Sequence, residues 1–355
     1  SISRTSAATV LQFIHDELED IKDDLPINTA LSADEQGKIT KGAVSMLQAR
    51  VYLMEGNWDK VITYTDNLIN NQGEYGTYDL YPSYRGLFEE ENEYNQEVIM
   101  DRSYVKKLLT WGDMVDMAPL SVGGRAINRV PQQSLVLNGK RIDEQGSNYN
   151  KDYPYANRDP RMTATIIYDG YDWSGNVNDG SQGTVIHIDP NTSTTVDKYV
   201  YGSNNTATGY YVRKYYSPQD AGDLNSGLNI ITMRYADVLL MYAEAKFEKG
   251  EFTEDIWNMT IKCIRERAGF TDSGALEYPS LSSDDMRKLI RNERRCELAM
   301  EGLRWFDIKR WKAGSEYLTG NVEGATFDGV GTIRVDSYNF NEQRDYLWAV
   351  PQSQI

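Results

Sequence analysis

Apolar residues recur at helical spacing in two blocks of the chain and lose that spacing between them. In residues 6–25, Val10, Ile14, Leu18 and Ile21 fall four, four and three apart, which is one helical face, and Leu25-Pro26 closes the segment. Residues 40–55 set Ala43, Met46, Leu47 and Val51 on one side and break at Gly56-Asn57. Residues 58–70 follow with Val61, Ile62, Leu68 and Ile69. In the second block, residues 230–249 carry Ala236, Leu239, Leu240, Ala243 and Phe247 on one face and Tyr235, Val238 and Tyr242 on another. A helix apolar on two faces is an inner one. Residues 253–268 end at Gly269, placed as a C-cap, and hydroxyls and carboxylates at 282–285 cap the helix after it.

The two blocks share a spacing. Ala49, Leu53, Gly56 and Trp58 match Ala243, Phe247, Gly250 and Phe252, the pattern of a tetratricopeptide-like helix pair whose glycine makes the turn. Between the blocks, residues 101–228 are dominated by Gly, Asn, Asp, Ser and Tyr, which is loop and short-strand composition. Weak alternation predicts short strands at 185–188 and 210–216. Beyond Trp311 the chain reads as Gly-rich and irregular. The expected fold is mainly α: tetratricopeptide-like helical hairpins forming a scaffold around a long irregular loop and short-strand insert. The expected segments are 1–100 (hairpins), 101–228 (aromatic insert that binds ligand), 229–313 (hairpins) and 314–355 (irregular).

Composition narrows the function. The 355 residues are globular, with 40% hydrophobic and 25% charged positions. A net charge of −16 argues against nucleic acid and against an anionic membrane surface. His15 and His187 lie far apart, and Cys263 and Cys296 sit inside helical patterns, so neither a metal centre nor a cofactor is expected. No apolar run reaches the roughly 20 residues of a membrane span. The 25 tyrosines and 7 tryptophans suit stacking on sugar rings, and equally a protein interface.

Residues 291–311 continue an apolar seam that starts at Leu289 (Cys296, Met300, Leu303) and mix it with Glu293, Arg294, Glu297, Glu301, Arg304, Asp307 and Arg310. Opposite charges three apart predict a partly buried ion network, with Gly302 ending one helix before the next begins. This stretch, E-R-R-x-E-L-x-x-E-G-x-R-x-x-D-I-x-R-W, resembles the C-terminal signature of the SusD/RagB family. Further similar blocks follow in order: the 78–100 stretch L-Y-x-x-Y…E-x-I, P-Y-x-x-R-D-P-R at 154–161, G-Y-x-x-x-K at 209–214, R-Y-A-D-x-L-L-x-Y-A-E-A at 234–245, I-R-x-R-A-G at 264–269 and the terminal L-W-A-V-P-Q-S-Q-I. Ala349 stands where the family carries proline. The family's signal, lipidated cysteine and first helix pairs have no counterpart here, so the chain reads as lacking its natural N-terminal part.

The resemblance implies a non-catalytic lipoprotein on the outer face of a Gram-negative outer membrane. It would bind oligosaccharide, or in RagB-like members peptide, and deliver it to a SusC-like TonB-dependent transporter. The membrane contact would be a lipid anchor alone. A tetratricopeptide-type adaptor is the competing class. A glycoside hydrolase needs a placed carboxylate pair, which no stretch displays. Family binding aromatics occupy no fixed motif, so the site is read from this chain. The turn at 168–176 exposes Tyr171 and Trp173 beside Asp172 and Asn176 and is the first choice for a sugar-stacking platform. Trp111, Tyr149, Tyr153 and Tyr155 are the second choices. Asp159-Pro160-Arg161 is read as structural, because proline forces Asp159 out of the helical region and Arg161 sits within reach of a carboxylate.

Overall fold

The computed structural model describes residues 5–111, 142, 146–173, 185–202, 205–216 and 226–347. Helices α1 (Ala7–Ile21), α2 (Lys41–Glu55), α3 (Trp58–Ile69) and α4 (Gln72–Tyr75) lead to strand β1 (Val98–Arg102). Then come α5 (Pro160–Thr165) and the two-residue strands β2 (Ile166–Ile167), β3 (Tyr171–Asp172), β4 (Val185–Ile186) and β5 (Tyr211–Val212). Strand β6 (Ile230–Arg234) runs straight into α6 (Tyr235–Glu248), followed by α7 (Glu254–Trp257), α8 (Cys263–Ala268), α9 (Ser273–Leu276) and α10 (Ser283–Glu297). The last elements are α11 (Arg304–Arg310), α12 (Gly314–Tyr317), β7 (Thr319–Phe327) and β8 (Gly331–Asn339). The fold is helix-rich with short strands. The strands pair antiparallel as β1–β6, β2–β5, β3–β4 and β7–β8.

Two compact units result. Unit 1 comprises Ser1–Leu87, Glu91–Ser103 and Asn229–Glu297; unit 2 comprises Phe88–Glu90, Tyr104–Leu228 and Leu298–Ile355.

Unit 1 is built from the predicted helices. Thr40 caps α2 by accepting from Ala43 N, and Gly56 ends it at φ 71°, where a side chain would be strained. Asn57 then caps α3 through Lys60 N. Gly250, at φ 73°, makes the matching turn after α6. Helix α6 is buried continuously from Tyr235 to Ala245 and packs on α2, α3 and α10, the position its two apolar faces require. Met46, Val61, Leu68 and Leu240 keep no exposure. Burial of that kind stabilises by roughly 1.5–3 kcal/mol per side chain. A π-helical turn, Asn258–Lys262, joins α7 to α8, and the buried Trp257 Nε1 donates to Leu276 O at 2.8 Å. Of α1, only His15 is buried. Its ring stacks on Tyr52 at 3.8 Å, and its Nε2 lies 2.6 Å from Glu55 Oε1.

Two expectations are corrected here. Residues 230–234 are strand, not the first turn of a helix, because Val98–Arg102 supplies the hydrogen-bonding edge from a distant part of the sequence. The segment after Trp311 is not irregular: β7 and β8, nine residues each, form an antiparallel hairpin. Gly324 lets β7 approach closely; a Cβ there would collide with the Thr208 backbone, whose carbonyl accepts from Ala325 N at 2.7 Å.

The charged signature is buried, but its partners lie across elements. Glu97 accepts from Arg234 Nη1 at 2.7 Å, Arg267 Nη1 at 2.6 Å and Tyr81 N at 2.8 Å. Glu297 accepts from Arg234 Nη1 at 2.7 Å and from Arg267 Nη2. Two arginines and two glutamates thus tie the residue before β1 to the ends of β6, α8 and α10. Beside them Asp237 takes Arg294 at 2.8 Å and Arg50 at 2.9 Å, and Glu293 takes Arg265 at 2.8 Å. Arg294, which the sequence spacing sets against Glu297, reaches Asp237 on α6. In unit 2, Asp307 and Arg310 do meet three apart, at 2.7 Å, and Gly302 turns at φ 78° before α11.

Candidate functional site

The aromatic residues of unit 2 divide into a buried set and an exposed set. Tyr171 (β3), Trp173, Tyr210, Tyr211 (β5) and Tyr216 join Met162, Ile166, Ile167, Ile186 and Ile188 in one core, closed by Ala325, Phe327 and Ile333 of the hairpin. The rings form a chain. Tyr155 stacks on Tyr168 at 4.2 Å, Tyr168 meets Tyr171 edge-on at 5.5 Å, and Trp173 meets Tyr216 edge-on at 5.6 Å. The Arg213 guanidinium lies 5.0 Å from the Trp173 ring centre. Burial pushes the phenols of Tyr155, Tyr210 and Tyr211 well above their ordinary range.

This corrects the first choice of platform. Trp173 is 0% exposed and Tyr171 2%, so neither ring has a face left for a sugar in this structure. The reason lies in partners far along the chain: Tyr216 and Arg213 cover Trp173, and the Tyr171 hydroxyl is spent on Thr163 O at 3.0 Å. Asp172, next to them, is exposed, while Asn176 lies outside the described residues. Asp159-Pro160-Arg161 is structural: Asp159 caps α5 and holds the buried Arg161 at 2.8 Å.

The second choices fare differently. Tyr153 is 68% exposed on a tightly tied turn. Asn150 Oδ1 accepts from Asp152 N at 2.9 Å, Asn150 O from Tyr153 N at 3.1 Å, and Tyr153 O from Ala156 N at 3.0 Å. Asn148 and Asn157 bracket the turn with left-handed backbone, φ 57° and 54°. Its base is fastened by Arg158, which lies 5.6 Å from the half-buried Tyr149 ring and donates to Pro154 O at 2.8 Å. An exposed ring on a fixed turn beside Asn150, Lys151 and Asp152 offers both a stacking face and hydrogen-bonding groups. Trp111 is half-buried. Its Nε1 donates to Leu228 O at 2.8 Å and the Tyr104 ring lies 5.9 Å away. The structure therefore brings Tyr149 and Tyr153 onto one turn and sends Tyr171 and Trp173 into the core.

Among the exposed tyrosines that escaped the sequence reading are Tyr201, 90% exposed, and Tyr338, 49% exposed on β8. A hairpin signal was present for the second. Asp328-Gly329 separates two stretches with strand-type residues.

The buried carboxylates of Glu97, Glu297, Asp237, Glu293, Asp159 and Asp307 are all engaged by arginines. Among the described residues, no group of three or more His, Cys, Asp or Glu could hold a metal ion. No described helix is long and apolar enough to cross a membrane.

The fold is thus a helix-rich scaffold that carries an exposed ring on a hydrogen-bonded surface turn. Residues 55–355 match the model of the SusD family, and the chain belongs to that family. SusD-like protein P2 of Formosa agariphila is 26% identical over 364 residues, a match that takes in all of this chain and 64% of that protein. The chain thus spans somewhat under two thirds of that relative's length. Among solved structures, a SusD-like carbohydrate-binding protein of Bacteroides fragilis superposes with a TM-score of 0.87 at 26% identity, covering 100% of this chain and 71% of that one. A second SusD-like protein of Bacteroides fragilis gives 0.76 at 26% identity, covering 100% and 70%.

Proposed function

We propose that this protein captures oligosaccharide at the outer face of a Gram-negative outer membrane, without cleaving it, and delivers it to a SusC-like TonB-dependent transporter. The observation that carries the reading is Tyr153: a largely exposed ring on a hydrogen-bonded turn of Asn, Lys and Asp, in a member of a family whose relative from Bacteroides fragilis is described as carbohydrate-binding. Trp111 and Tyr149 are the supporting contacts. A lipid anchor would hold the protein at the membrane.

Affinity electrophoresis through a panel of soluble polysaccharides tests the binding step. Retardation by at least one glycan, lost in Tyr153→Ala at an unchanged thermal midpoint, is the expected result. Retardation kept in Tyr153→Ala and lost in Trp111→Ala would move the site. Saturable binding to peptides and to no glycan would replace the ligand class. The delivery step is tested by co-purification with the transporter and by whether deleting the gene abolishes uptake of the retained glycan.

A further inference from the structure

The turn that leads into Trp111 ends in an aliphatic tip. Val105 N donates to Leu109 O at 2.7 Å and Leu109 N to Val105 O at 2.9 Å, so the two residues stand directly opposite and close a three-residue loop. Leu108 in that loop is 86% exposed, and Val105 and Leu109 are 51% and 53% exposed. Lys107 beside them sits in the left-handed region at φ 67°, where a side chain is strained. The base of the turn is fixed. Trp111 N donates to Ser226 O at 3.4 Å, Trp111 Nε1 donates to Leu228 O at 2.8 Å, and a Cβ on Gly227 would lie 2.5 Å from Lys106 N. Ser226 and Leu228 are themselves buried, so the tip stands on a packed foundation.

Val105 and Leu109 are cross-strand partners, and Leu109 and Trp111 are two apart, so all three side chains leave the ribbon on one face. A sugar lying against the half-buried Trp111 ring therefore meets valine and leucine at its edge. Those side chains offer no donor, no acceptor and no ring face. A sugar hydroxyl gains nothing from them, whereas a methyl group leaves water by touching them. The patch is also small. A stable protein partner covers about 800 Å² on each side, far more than three aliphatic side chains present. Charge does not decide the ligand at this tip: Arg102 and Lys106 have partners of their own, Lys107 is exposed, Asp101 is buried and Asp113 lies outside the described residues.

We propose that the Val105, Leu108 and Leu109 tip selects O-acetylated glycan, its aliphatic side chains taking the methyl ends of acetyl groups on a sugar held at Trp111. A tip fixed at its base meets the ligand without an ordering cost of its own. This assignment rests on the glycan-binding reading above and narrows the ligand within it.

The test is affinity electrophoresis of the whole chain through xylan, glucomannan and dextran, each in a partially O-acetylated and a deacetylated form. For at least one of them the acetylated form should hold the wild type about fourfold more tightly, the ratio that burying one methyl-sized group represents. Leu108→Ser and Leu109→Ser should bring that ratio to about one, at an unchanged thermal midpoint and with retention by the deacetylated form kept, because both side chains are exposed. Equal retention of the wild type by both forms would overturn the proposal, and so would a preference that survives in both variants. Retention by none of the acetylated probes would overturn it as well. A protein then held by some other glycan keeps the function proposed above, and one held by no glycan loses both.

Discussion

Replacing Trp173 by alanine separates a core residue from a ligand platform. The indole is fully buried, in contact range of Tyr171 and Tyr216 and beneath Arg213. Truncating a buried tryptophan costs about 3–5 kcal/mol, from lost transfer energy and the cavity left behind. The Arg213 guanidinium, itself 2% exposed, also loses an aromatic face, worth roughly a further 0.5–2 kcal/mol. Against a total stability of about 5–15 kcal/mol this is a large fraction. At roughly 2–4 °C per kcal/mol for a unit of this size, the thermal midpoint should fall by on the order of 10 °C or more. Calorimetry, with near-ultraviolet circular dichroism to follow tertiary packing, reads the change. Tyr153→Ala is the control and should stay within about 0.5 kcal/mol of wild type, as exposed positions do. A Trp173→Ala protein with an unshifted midpoint and abolished glycan retention would refute the reasoning and restore Trp173 as a binding residue.

Two further predictions concern buried charge. Glu297→Ala removes one of the two carboxylates that Arg234 and Arg267 share, leaving Glu97 alone against two buried guanidinium groups, and should destabilise unit 1 by about 3–5 kcal/mol in urea titrations; a loss under about 1 kcal/mol would mean the ring of charges is dispensable. Burial raises the Asp101 carboxyl above its usual 3.8, and hydrogen bonds from Asn229 and Ser103 offset only part of the rise. A raised folded-state pKa means stability is lost as pH climbs from the unfolded value through the folded one. Asp101→Asn should therefore raise the thermal midpoint at neutral pH, with an advantage that shrinks as pH falls towards 3.8; an advantage that grows in acid would contradict the sign.

The sequence by itself determined what depends on near neighbours. Helices α1, α2, α3 and α10 lie where the apolar spacing and the capping residues Ser6, Thr40, Asn57 and Ser282 put them. The inner position of α6 was legible in its two apolar faces, and the family was legible in blocks of adjacent residues that fold as units. Only the tertiary structure decided questions that turn on distant partners. Residues 230–234 extend because Val98–Arg102 pairs with them, a choice no local window contains. Glu297 binds Arg234 and Arg267, which come from β6 and α8 and which no local window around the motif contains. The aromatics divide by the same rule. Trp173 and Tyr153 sit in similar Gly, Asn and Asp surroundings along the chain, but Arg213 and Tyr216 cover one while the turn at 150–156 holds the other in water. Burial is a property of what packs on a side chain, and for these rings the packing comes from residues that local sequence leaves unspecified.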